Sequence, residues 1–471
     1  MRPEELRPTW RLDATETARR IREGKLDPAA HLRETLRRIT RLDQQLNAVV
    51  ARIDEDDVGQ RLEQVDWDAP FAGVPFLVKE TTPYPNLRLT YGSRWLQDHI
   101  AVDKDPLIQA FEKIGFVVVG VSNAPEFGLT DVTEPLLLGA TRNPWNLARS
   151  PGGSSGGAAA AVAAGLVPFA HGTDGGGSLR APASHCGVFA LKPSRGRPFA
   201  TPSLPGAEWL PDLVSRFGLT RSVRDAQGIL AALSKMSGYE MPPKVGQRHD
   251  NHYRIAATGI PLHAGDIDPA VARVYDAAVA HCRDLGHSVT TLEWPFDAHA
   301  MHTAFFGAWA GFAKAYIEFI SQRLQRPIER LKLEPWTVGL LDIADALTGK
   351  ERIRISSILH DAQIAHNDLF GDFDLLLTPV YAKPPPQIGE HHTSLPFHTV
   401  YKRVTRAVAF TPIQNVAGAP AVSVPFAVSD ADLPIGVQFA AAPGQDEMLL
   451  QFASAVQASR PWPKFAPGAT N

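Results

Sequence analysis

Residues 149–165 read RSPGGSSGGAAAAVAAG, and no other stretch restricts the fold as tightly. Six of the seven residues from 158 to 164 are alanine, the exception being Val162. A helix built from them has almost no side chain of its own. Its neighbours must come close on every side, as in the middle of a large, close-packed core. The chain can supply one: 471 residues, 44% hydrophobic and 21% charged, a composition that also opposes disorder. Ahead of the alanines, Gly152, Gly153, Gly156 and Gly157 flank two adjacent serines. Glycine permits backbone that other residues resist.

The rest of the chain alternates strand-like and helix-like stretches. Residues 10–52 read as helical. Asp13 and Glu16 have capping-box spacing, Asp27-Pro28 marks a second helix start, and Leu32, Leu36, Ile39, Leu42 and Leu46 recur at helical spacing. FAGVPFLVKE (71–80) and GFVVVGVSN (115–123) read as buried strands, with the helix-like DPLIQAFEKI between them. RIAATGIP, DLLLTPV (374–380), PAVSVPFAV and PIGVQFAAA add strands. Asp268-Pro269 opens a helix, and 303–347 is mostly helical, with Phe305, Trp309, Phe312, Tyr316 and Ile320 in one stripe. The stripe suits an apolar binding surface or a core-facing helix equally. EMPPKVGQRHDNH (240–252) reads as a linker or surface loop. The alternation predicts an α/β protein, without fixing the strand order.

Several function classes fall away. The formal net charge of −3 offers no general attraction to nucleic acid or an anionic membrane. The two cysteines, Cys186 and Cys282, form neither a disulfide framework nor a zinc pattern. The N-terminus lacks the apolar region of a signal peptide, and the most apolar run, AFFGAWAGFAKAYIEFI, contains Lys314 and Glu318. The expectation is a soluble, cytoplasmic protein.

The glycine-serine stretch admits several readings. A flexible linker would not run straight into an apolar helix and a second glycine motif, HGTDGGGSLR. A phosphate loop needs a lysine that does not follow Gly156 or Gly157, and the dinucleotide pattern G-x-G-x-x-G fails in both stretches. Gly153, Ser155 and Gly157 fit the G-x-S-x-G elbow, with His171 or His185 as a base, but polar TRNPWNLARSPG precedes it where a strand should. The histidines His391 and His392 beside Glu390 read as a solvated loop before a metal site.

Four segments taken together carry a resemblance: GVPFLVKE, RNPWNLARSPGGSSGGAAAAVAAG, GTDGGGSLRAPASHCGVFALKPSRGR and the late PAVSVPF…LPIGVQF. In order and spacing they resemble the amidase signature family over most of the chain. FLVKE…YGSRWL with TDGGGSLR and LKPSRGR is similar to the branch containing 6-aminohexanoate cyclic-dimer hydrolase. The resemblance implies one large α/β/α domain over 1–471, with a central mixed sheet covered by helices. Its parts would be an N-terminal helical region (1–65), a catalytic core (66–235) and substrate-channel helices at about 300–350.

The resemblance also implies a Ser-cisSer-Lys triad that cleaves amides through an acyl-enzyme. Residue by residue, the lysine falls on Lys79, the bridging serine on Ser154 and the nucleophile on Ser178, with Ser155 a neighbour. Gly175, Gly176, Gly177 and the Ser178 amide would form an oxyanion hole. Relatives carry a bulkier residue where Gly175 stands, so the loop is expected to be looser or the site wider. No metal or organic cofactor is implied. The expected partner is a small-molecule amide, with neither nucleic acid nor membrane; the assembly is open, a homodimer included. The same triad would serve a carbamate or ester hydrolase. A glutamine-dependent amidotransferase A-type subunit and a non-catalytic scaffold are the rivals.

The chemistry sets conditions of its own. A serine hydroxyl needs a positioned base, and an ammonium cannot accept a proton. Lys79 must therefore titrate near pH 7–8 instead of about 10.4, which burial at the end of an apolar strand can achieve. Glu80 would oppose that drop unless strand alternation turns it to the other face. Asp174 with Arg180 reads as a pair that shapes the turn, and Asn143 and Arg149 as loop anchors.

Overall fold

A computed structural model describes residues 8–200, 204–237, 252–263 and 265–467. The 240–252 stretch lies outside the described residues apart from His252. Among the described residues, eleven strands form one mixed sheet: β1 Val49–Arg52, β2 Val74–Lys79, β3 Phe116–Ser122, β4 Phe169–Asp174, β5 Phe189–Lys192, β6 Ser215–Thr220, β7 Arg254–Ala257, β8 Ser288–Thr291, β9 Leu375–Pro379, β10 Ala421–Val428 and β11 Pro434–Ala440. Their order is β1-β3-β2-β4-β6-β5-β10-β11-β9-β7-β8.

Alternation along the strands shows that both faces are covered. Ile255, Leu375 and Leu377 belong to one buried cluster, with Leu32, Leu36 and the alanine helix. Ala256 and Leu376, one residue along, belong to a second cluster, with Trp309, Trp336 and Leu340. Neighbouring residues of a strand face opposite ways, so the helices lie on both sides, an α/β/α arrangement.

The first two helices form where the sequence places them. Asp13 caps Ala14–Arg22 by accepting from the Glu16 amide, and Asp27 caps Pro28–Leu46 with proline at the first position. The helical reading to residue 52 is too long. Asn47 adopts a left-handed conformation (φ 51°) and ends the helix, and β-branched Val49 enters β1 against β3.

The helix Gly156–Ala163 is buried along its whole length. A Cβ on Gly157 would lie 2.5 Å from the Asn123 amide nitrogen and 2.6 Å from the Asn123 carbonyl oxygen. These are backbone atoms and cannot swing aside. Gly157→Ala is therefore expected to cost about 2–3 kcal/mol of stability, checked by urea denaturation.

The order of the central strands positions the site. β2 lies between β3 and β4, parallel to both, with Phe76 opposite Phe169 and Leu77 opposite Ala170. The C-terminal ends of β2 and β4, Lys79 and Asp174, therefore emerge at the same edge, where ligand sites of parallel sheets form. Among the described residues, no helix is long and apolar enough to cross a membrane.

Candidate active site

Lys79 is fully buried at the end of β2. Its Nζ contacts three hydroxyls: Ser154 Oγ at 2.7 Å, Thr173 Oγ1 at 2.8 Å and Ser155 Oγ at 2.9 Å. Burial lowers its pKa to about 7, against a smaller upward pull from the Asp174 carboxylate. Among the described residues, no carboxylate touches the nitrogen. Hydroxyls can donate or accept, so the shell accommodates a neutral amine. Glu80 faces away, accepting from the Thr90 amide at 2.7 Å and the Thr90 hydroxyl at 2.6 Å.

Ser155 also fastens the lysine to β4. Its hydroxyl donates to the Thr173 carbonyl at 3.2 Å and accepts from the Thr173 amide at 3.3 Å. Ser154, its neighbour, is buried and follows a cis peptide from Gly153. A Cβ on Gly153 would lie 2.7 Å from the backbone N and O of Val132, so the chain closes around this peptide.

Ser178 sits on the turn after β4, half-buried, and its hydroxyl makes no hydrogen bond among the described residues. The Ser155 amide donates to the Ser178 carbonyl at 3.2 Å, tying the two glycine loops together. Asp174 shapes the turn, accepting from the amides of Gly177 (2.8 Å) and Leu179 (3.1 Å) and pairing with Arg180 at 2.8 Å. Burial raises the Asp174 carboxyl, but Arg180 and its hydrogen bonds, with Lys192, bring it well below the usual carboxylate range. Arg180 in turn donates to Gln414, Asn415 and Gln438. With the Gly177 amide engaged, those of Gly175, Gly176 and Ser178 have no acceptor among the described residues.

The turn is roofed by the helix Ala298–Leu324. A Cβ on Gly175 would meet Trp309 Cζ3 at 2.7 Å, and one on Gly176 would meet Phe305 Cζ at 2.7 Å. The space opened by glycine at 175 is thus filled by an indole, and the turn is not widened on that side. Trp309 is held there by its N–H, which donates to the Leu129 carbonyl at 3.1 Å.

Two cavities meet at Ser178. One of about 40 Å³ is lined by Gly153, Gly176, Phe305, Trp336 and Val404. The other, about 270 Å³, is lined by Ser154, Thr173, Gly175, Phe312 and Tyr316. Ser178, Gly128 and Trp309 border both. The aromatic stripe is therefore both core and cavity wall.

Other sequence candidates fall elsewhere. His171 lies behind Lys79, its Nδ1 3.4 Å from the Lys79 amide, and His185 packs on Tyr381; burial holds both rings neutral. Asn143 and Arg149 do anchor loops, through the His185 and Pro385 carbonyls. The solvated reading of His391 is corrected. It is buried, 2.8 Å from Asp131, which also binds the Tyr381 hydroxyl. The partner lies 260 residues away, beyond any local pattern. Sequence reasoning also missed Thr173, although it adjoins the DGGGS motif, and Thr411, whose hydroxyl donates to the Gly176 carbonyl at 2.5 Å.

Comparison with known proteins gives the family. The amidase family model matches residues 30–450. The chain is 33% identical to 6-aminohexanoate-cyclic-dimer hydrolase of Pseudomonas sp. (strain NK87), covering 96% of this chain and 95% of that one. It is 31% identical to the putative amidase AmiC of Mycobacterium tuberculosis (strain ATCC 25618 / H37Rv), again over 96% and 95%. Among solved structures, 6-aminohexanoate cyclic dimer hydrolase complexed with substrate superposes with a TM-score of 0.87 at 29% identity, over 99% of this chain and 100% of that one. With the lysine and its hydroxyls gathered where two parallel strands end, this chain belongs to the amidase signature family and is an amide hydrolase.

Proposed function

We propose that the protein cleaves carbon–nitrogen bonds of amides through an acyl-enzyme at Ser178, with Ser154 as proton relay and Lys79 as base. The observation that carries this reading is the buried Lys79 nitrogen, its pKa lowered to about 7, 2.7 Å from Ser154 Oγ. The Ser155 hydroxyl gives its proton to the Thr173 carbonyl, so it accepts from the amine. Ser154 has no such acceptor among the described residues, and its proton is available to the lysine lone pair.

Ser178 Oγ attacks the amide carbonyl carbon. Its proton passes to Ser154 as the Ser154 proton passes to Lys79. The oxyanion is met by the free amides of Gly175, Gly176 and Ser178, each such donor contributing about 2.7–4 kcal/mol. The Gly177 amide, bound to Asp174, holds the turn instead. The C–N bond then breaks, and the amine leaves with a proton from Ser154 that Lys79 replaces. Water cleaves the ester by the same relay in reverse.

Ser154 and Thr173 border only the larger cavity, which is therefore the place for the amine that must be protonated. The smaller cavity takes the acyl part. An aromatic wall and likeness to a cyclic-dimer hydrolase favour oligoamides and aryl amides as substrates. Incubation with a fluorophosphonate followed by peptide mass spectrometry should place the adduct on Ser178. An adduct on Ser155 would refute the assignment.

A further inference from the structure

The larger cavity carries a charged pair in its apolar wall that the chemistry above does not use. Arg216 on β6 is paired across the sheet with Thr173 on β4, whose hydroxyl meets Lys79. Directly paired residues point to the same face, with Cβ atoms about 4.5–5.5 Å apart. The Arg216 side chain therefore leaves the sheet on the same face as Thr173. Arg216 Nη1 donates to Asp105 Oδ2 at 2.7 Å, and both residues line the cavity with Ser154 and Ser178. Their side chains are 9% and 14% exposed.

The pair is incompletely satisfied. Arg216 Nε is buried without a partner among the described residues, and Nη2 reaches only the Ala200 carbonyl, at 3.4 Å. A guanidinium has five N–H donors, so donors remain. On Asp105, Oδ2 takes Arg216 and Oδ1 takes the Leu107 amide at 2.8 Å, capping the helix Pro106–Lys113. Each carboxylate oxygen keeps a second lone pair. Fastening Asp105 to the sheet explains one hydrogen bond but not the remaining Nη donors of a residue that lines a largely apolar cavity, where unmet donors are costly.

The charges narrow the ligand. A second pair in the same cavity, Arg323 with Asp103 at 2.6 Å, brings the wall to two cations and two anions. A free carboxylate or ammonium would meet a like charge beside its partner. A neutral group with one acceptor and one donor meets none, and a secondary amide is such a group.

We propose that Arg216 and Asp105 form a subsite for a second, uncleaved secondary amide on the amine side of the scissile bond. The carbonyl accepts from Arg216 and the N–H donates to Asp105. The preferred substrates are diamides and longer oligoamides. This rests on the reading that Ser178 is the nucleophile and that the amine occupies the larger cavity.

The test is calorimetric titration of the Ser178→Ala protein with two matched ligands: a diamide, and its isostere with –CH2–CH2– in place of the second amide. The diamide should bind about tenfold or more tighter, as for a hydrogen bond to a charged group. Adding Arg216→Gln should bring the two ligands to within about twofold, with the isostere's affinity unchanged. Asp105→Asn, which keeps a helix-capping oxygen, is the second variant should Arg216→Gln fail to fold, and should lower the preference as well. Equal affinity of the two ligands for Ser178→Ala, a preference that survives both variants, or parallel weakening of both ligands overturns the proposal. So does tighter binding of a carboxylate-ended analogue than of the diamide. Retained turnover by Ser178→Ala would count against the catalytic reading instead, and leaves the binding contrast readable.

Discussion

Replacing Ser178 by alanine is expected to abolish amide turnover while leaving the protein folded. The proposed cycle forms and then cleaves an ester at this oxygen. Removing the nucleophile of a serine hydrolase costs on the order of 10³–10⁶ in kcat. The fold should not register the change. The hydroxyl is half-buried and makes no hydrogen bond among the described residues, so the stability change should stay within about 0.5 kcal/mol. Assays of wild type and variant on anilides, linear oligoamides, carbamates and esters, each with a thermal melt, check both halves. The panel also ranks the substrate classes. Activity retained by the alanine variant on any of them would mean a different nucleophile.

The second large effect is pH dependence. In the proposed cycle Lys79 works only as the neutral amine, which it becomes above its pKa of about 7. Below pH 7, kcat/KM should therefore fall about tenfold per unit, and above it should level off. The sign distinguishes a base from an acid, since a required ammonium would give the opposite slope. Glu80 also titrates at about 7, raised by burial, and could mimic the limb. Glu80→Gln separates the two, because an amide oxygen can still accept both Thr90 bonds; the acid limb should persist in that variant. Lys79→Met should lose activity by about 10³ or more and keep no limb. A limb that moves with Glu80 and not with Lys79 would assign the base wrongly.

The family was legible in short, ordered motifs. Lys79, Ser154 and the glycine turn lie within three segments whose spacing is local, and burial of Lys79 follows from the apolar strand that ends on it. The β2–β4 neighbourhood could not be read that way, because strand order depends on which long-range pairing wins. The partners of Arg180 show the same limit. Gln414, Asn415 and Gln438 are more than 230 residues from it; the first two lie in no motif, and nothing in LPIGVQF links Gln438 to Arg180. His391 was misjudged for that reason, since its immediate neighbours are polar and its real partner is Asp131. The overlong first helical region failed on a single residue. Nothing in the hydrophobic period signals that Asn47 will turn left-handed.

The contact between Trp309 and Gly175 has a historical side. Gly153 and Gly157 are enclosed by the backbone of other segments, so no change elsewhere can make room for a side chain there. A Cβ on Gly175 would instead meet side chains, crowding the far edge of the Trp309 indole at 2.7 Å and touching Val214 Cγ2 at 3.4 Å. A side chain at 175 is therefore expected to need a shifted or smaller residue at 309, so two positions 134 residues apart in the chain should vary together. Selection on substrate preference, acting through the roof helix, would reach the proposed catalytic turn by that exchange.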